Sequence, residues 1–116
     1  MFLDMPGASG AHYRFRRVHV DALSAMAGNL IVLQPGGSAP VLLVCTAAPS
    51  LSAARDLVLS TLRSNPGAVV YVRLNVARAV REAEHADIMA AAQTPGDGLR
   101  QRAEVLTLIE PTVVGV

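Results

Sequence analysis

Residues 40–75 read PVLLVCTAAPSLSAARDLVLSTLRSNPGAVVYVRLN, and this stretch decides the fold. Residues 41–45 and 69–72 are short unbroken apolar runs, valine-rich and bounded by proline or glycine, as strands covered on both faces are. Between them Leu51, Ala54, Val58 and Leu62 recur at helical spacing, with Leu57 alongside and Arg55, Asp56 and Arg63 on the opposite side. Ser50 or Ser52 can satisfy the first amides of that helix, and Ser64-Asn65-Pro66-Gly67 ends it. The reading is strand, helix, strand, with the only cysteine, Cys45, at the strand-to-helix turn.

On the N-terminal side, NLIVLQ (29–34) predicts a strand, joined to the next by the turn-forming loop 35–40. HYRFRRVHV (12–20) alternates as a further strand, with Tyr13, Phe15, Arg17 and His19 on one face and Arg14, Arg16, Val18 and Val20 on the other. Asp21 can cap a short helix over 22–27 that Gly28 would end. Residues 1–11, with Pro6, Gly7, Ser9 and Gly10, read as a flexible tail, leaving 12–116 as the domain. On the C-terminal side, 76–92 predicts a long helix capped by Asn75, with Val76, Ala79, Val80, Ala83, Ala86 and Ala90 as its inward stripe. A last strand is expected over 101–110, with Val105, Thr107 and Ile109 opposite Leu106 and Leu108.

These elements define one α/β (α+β) domain: an approximately five-stranded mixed sheet, two main helices and one short helix, in the order β-(α)-β-β-α-β-α-β. The first six elements have the order of a ferredoxin-like split βαβ unit, with an extra αβ behind it. Two-sided burial of several strands calls for helices on both faces or for a second subunit, so a homodimer packed through the sheet is one expectation.

Composition narrows the function. At 116 residues with 52% hydrophobic and 16% charged residues, the chain can bury a core and is not of the disordered class. No apolar run is long enough to span a bilayer, and MFLDMPGASG lacks the basic and apolar regions of a signal peptide, so a cytoplasmic location is expected. One cysteine allows no internal disulfide. All ten basic residues are arginine, which excludes Schiff-base and Walker lysines and fits a GC-rich bacterial genome. The net charge of +1 gives no global field toward nucleic acid or anionic membrane.

Three local patterns carry candidate chemistry. The run VLLVCTAAPSLSAARDLV (41–58) resembles the cysteine loops of phosphocysteine IIB components of the sugar phosphotransferase system and of low-molecular-weight tyrosine phosphatases. That resemblance implies Cys45 as nucleophile, with Ser50 and Ser52 in a phosphate-binding loop. The run departs from it at Leu51, where the phosphatase pattern has arginine, and in having no glycine in the loop. The second pattern is the basic strand, where Tyr13, Arg14, Phe15, Arg16, Arg17 and His19 form a candidate binding surface for an acidic partner or, by stacking and charge, for nucleic acid. As an edge strand, the same arginines would instead discourage edge-to-edge pairing. The third is Glu82-x-x-His85, a spacing found in di-metal helices. It stands here without a second copy, beside the helical ion-pair spacings Arg78/Glu82 and Arg81/Glu84. No nucleotide-binding glycine motif or serine triad context occurs, and no cofactor is expected. The leading expectation is a non-enzymatic protein–protein interaction module. Cysteine phosphotransfer at Cys45 and weak nucleic-acid binding through residues 12–19 are the alternatives.

Overall fold

The computed structural model describes residues 1–36 and 39–92. Five strands form one sheet in the order β1-β2-β5-β3-β4. They are β1 (Phe2–Pro6), β2 (His12–Val18), β3 (Gly28–Gln34), β4 (Val41–Ala48) and β5 (Val69–Leu74). Among the described residues they are joined by two helices, α1 (Arg55–Ser64) and α2 (Arg78–Ala92), with 3-10 turns at Val20–Ala22 and Leu51–Ala54. The class expected from the sequence is the one observed, an α+β domain with five strands, two main helices and two short helical turns among the described residues. None of the described helices is long and apolar enough to cross a membrane.

Within that class several details differ. Every pairing is antiparallel, where a mixed sheet was expected. The connection from β2 to β3 leaves β5 between them, and the α1 connection from β4 to β5 leaves β3 between them. The domain thus has the split crossovers of a ferredoxin-like unit, but β3 and β5 form the central pair. Residues 1–11, expected as a tail, supply β1, which pairs with β2 from Phe2↔Arg16 to Pro6↔His12. The alternation explains this: Leu3 and Met5 turn inward beside Phe15, while Phe2, Asp4 and Pro6 point away. The strand expected over 101–110 lies outside the described residues.

Strands β3, β4 and β5 are covered on both faces by the chain's own helices. On one face Val58, Ala54 and Leu51 pack on Leu30, Val32, Val44, Val70 and Val72. On the other, Ile88, Met89 and Ala92 of α2 pack on Met5, Phe15, Ile31, Leu33 and Leu42. The register slips between Val32 and Leu33, making Leu43 the extra residue of a bulge, so Leu43 and Val44 both serve the α1 core. The two-sided burial that suggested a second subunit is therefore met on these strands within one chain.

Two helix assignments are corrected. The short helix expected over 22–27 is a 3-10 turn at Val20–Ala22, because His19 Nδ1, rather than Asp21, accepts the early amide, from Asp21 N–H at 3.2 Å. The inward stripe of α2 is reversed as well. Val76, Ala79, Val80, Ala83, Ala86 and Ala90 are exposed, while Arg81, His85, Ile88, Met89, Ala91 and Ala92 are buried. Asn75 is no cap; its amide bonds Asn29 Oδ1 and Glu84 Oε1, each at 3.0 Å.

Candidate binding surface

One row across the sheet shows where the covering stops. Phe2, Arg16, Val72, Leu30 and Thr46 are neighbours in register and share a face. Val72, Leu30 and Thr46 are buried beneath the α1 side of the domain, whereas Arg16 and Phe2 are exposed, Phe2 by 64%. The row beside it begins with Asp4 and Arg14, also exposed. Among the described residues, then, nothing covers the α1 face of the β1–β2 ribbon, which is bare in that sense.

The ribbon's other face explains its rigidity. Phe15 is fully buried against α2. Tyr13 donates its hydroxyl to Asp87 Oδ2 at 2.7 Å, and the Arg73 guanidinium lies 5.7 Å from the centre of its ring. Asp87 also accepts from Ser9 N–H at 2.9 Å and from Ser9 Oγ at 2.6 Å, so one carboxylate of α2 holds the turn between β1 and β2. Those donors, the Ser9 and Tyr13 hydroxyls foremost, hold Asp87 below the usual carboxylate range; donating to that carboxylate raises Tyr13. Gly7 sits against the same group, since a Cβ there would meet Asp87 Oδ2.

Among the described residues β1 is an edge strand, with a simple division of its backbone. Met1 C=O accepts from Arg17 N–H at 3.0 Å, so by antiparallel alternation Met1, Leu3 and Met5 bond toward β2 while Phe2 and Asp4 bond outward. Pro6 falls at an outward position, where its missing N–H removes no ladder bond.

The charge on the ribbon is one-sided. Between residues 1 and 19 there are three arginines and a single acid, Asp4. Asp4 takes Arg14 at 3.3 Å, and the Arg14 guanidinium also lies 5.5 Å from the centre of the Phe2 ring. Arg16 and Arg17 are exposed and have no acidic partner among the described residues. His19 is exposed at the end of the ribbon beside Asp21, whose carboxyl the Arg55 guanidinium holds below its ordinary value from 2.8 Å.

The six residues singled out on this strand therefore separate. Arg14 and Arg16 share the bare face, while Arg17, which points to the other side, and His19 stand exposed at the end of the ribbon. Phe15 belongs to the core and Tyr13 to the α2 anchor, which removes the two aromatic rings a base-stacking surface would need. The sequence reading missed Phe2, whose exposure beside two arginines is visible only once β1 is seen as a strand.

The other candidate patterns take structural roles. Cys45 is not at a turn but inside β4, which continues to Ala48; its side chain is 3% exposed and packed in the α2-side core. Glu82 pairs with Arg78 at 2.9 Å, as its spacing suggested, and raises the Arg78 pKa. His85 is buried, with Nε2 3.1 Å from Cys45 O, so the pair does not converge on a metal. Among the described residues no group of three or more His, Cys, Asp or Glu could hold one. The expected Arg81/Glu84 pair does not form. Arg81 is buried and donates to Val76 O at 2.8 Å, while Glu84 binds Arg73 at 2.7 Å and accepts from Asn75. Asn29 joins this network by donating to Arg81 O at 2.9 Å.

Comparison of the chain with protein-family models, with curated proteins and with solved structures finds no match.

Proposed function

We propose that this chain is a non-enzymatic protein–protein interaction module that binds an acidic partner through the bare face of the β1–β2 ribbon. The observation that carries the reading is the row Phe2–Arg16–Val72–Leu30–Thr46, in which three residues are buried and the two on the ribbon are left to solvent. An exposed aromatic ring beside arginines is the composition that protein interfaces favour, and arginine is the cation suited to carboxylate recognition. The α2 anchor supports this: a ribbon held at its turn loses little conformational entropy on binding.

Binding of a glutamate-rich peptide, measured by titration at low and at raised salt, tests the reading. The wild-type chain should bind it, more weakly as salt screens the charges, and Arg14→Glu with Arg16→Glu should abolish binding while the melting curve stays near that of the wild type. Equal binding by the wild type and the double variant would refute it.

A further inference from the structure

At the lower end of the ribbon lies a trough of about 330 Å3, between the end of β2, the start of β5 and the last turns of α1. We infer that this trough is the anchor pocket of the interaction surface, seating one aromatic side chain of an acidic partner segment. The inference rests on the function proposed above and adds to it the chemistry of the partner. Val18, Val20, Leu62, Ala68 and Val70 give the trough an apolar wall, Arg17 and His19 also line it, and its lining is about equally polar and apolar. No acid lines it. Its volume is at the small end of the roughly 300–1,000 Å3 of ligand clefts, enough for a side chain and its immediate neighbours rather than a large cofactor.

Position makes it part of the bare face. Val18 follows Arg16 by two residues on β2 and so points to the same side, pairing with Val70 as Arg16 pairs with Val72. An extended segment lying along β2 therefore meets Arg14, Arg16 and then the trough. His19 is exposed beside it, and with Nδ1 accepting from Asp21 N–H, Nε2 is the ring nitrogen left to meet a carboxylate. A socket with an apolar wall, beside a face that carries Arg14 and Arg16, concentrates affinity in one buried anchor and gives orientation to the charges around it.

The chain contains no tryptophan, so the indole of a probe peptide is the sole indole signal in solution. The probe is a short glutamate-rich peptide with one central tryptophan, compared with the same peptide carrying serine there. On binding the wild type, the tryptophan emission should shift to the blue, and the serine peptide should bind at least about tenfold more weakly, the effect of losing one buried anchor. Ala68→Leu, which fills the trough, should remove the blue shift while leaving salt-sensitive peptide binding. If that variant misfolds, the tryptophan–serine comparison on the wild type decides alone. Equal binding of both peptides with the emission of free indole would overturn the anchor pocket and leave the basic surface standing. Failure of both peptides to bind at low salt would overturn the surface and the pocket together, as would tight binding of single-stranded DNA in their place.

Discussion

Among the described glycines, Gly28 has the closest approach to backbone, and replacing it tests how the core is closed. A Cβ there would lie 2.4 Å from Arg73 O and 3.2 Å from Leu51 Cδ1. Its φ is not in the left-handed region, so space alone demands glycine. Real Cβ contacts stay beyond 3.0 Å, so Gly28→Ala forces β3 and β5 apart by at least 0.6 Å (3.0 − 2.4). That displacement breaks or stretches one or two ladder bonds at the Gly28↔Leu74 and Asn29↔Arg73 pairs, each worth about 1 kcal/mol. Overpacking adds roughly 1–3 kcal/mol, and the lower unfolded-state entropy of alanine returns about 0.5–1 kcal/mol. The net expectation is a loss of about 2–3 kcal/mol. At roughly 4 °C per kcal/mol for a domain near this size, the melting temperature should fall by about 8–12 °C in a far-ultraviolet circular dichroism melt. Gly10→Ala is the control: φ is +92° and nothing lies within 4 Å of the added carbon, so only backbone strain of about 1 kcal/mol applies. A Gly28→Ala melt within 2 °C of wild type, or an equal loss at Gly10, would show that steric closure is not what this glycine provides.

The anchor at Asp87 carries a pH signature. Its lowered pKa means that its stabilisation is fully present above the usual carboxylate range and is lost as pH falls through the folded-state value below that range. The stability gap between wild type and Asp87→Ala, followed by urea titration, should therefore be constant near neutrality and close only in strong acid. Tyr13 is raised, so its share is lost instead as pH rises past the ordinary phenol range. Thr46 Oγ1 is buried without a hydrogen-bond partner, so Thr46→Val should be neutral or stabilising by up to about 1 kcal/mol in urea; a loss of more than that would mean the hydroxyl is bonded after all. A thiol reagent should label Cys45 orders of magnitude faster in urea than in the native protein, and comparable rates would place the thiol at the surface.

How much of this was legible depended on whether the signal was local. The strands around residues 41–45 and 69–72 and the helix between them declared themselves because strand runs and helical spacing are properties of adjacent residues. β1 was hidden by its brevity and by Pro6-Gly7, which read as turn chemistry although Leu3 and Met5 already alternate with Asp4. The face of α2 was inverted because alanines give no direction, and a stripe of them is as stable in water as in a core. The true inward face includes Arg81 and His85, which a hydropathy count rejects but which bring their polar atoms to backbone oxygens. The Asn29–Arg81 contact joins residues 52 apart, and no periodicity reports it. The basic strand was found as charge, yet its division into core, anchor and surface needed the register with β1.

The place of β5 in the sheet also orders the protein's birth. Its residues are the last strand made among the five, yet they occupy the centre, with β2 on one side and β3 on the other. During synthesis the β1–β2 and β3–β4 hairpins must wait as separate pieces, each with an unpaired inner edge. Only when residues 69–74 emerge can one strand join both halves, so the chain's slowest and most aggregation-exposed interval falls before that moment.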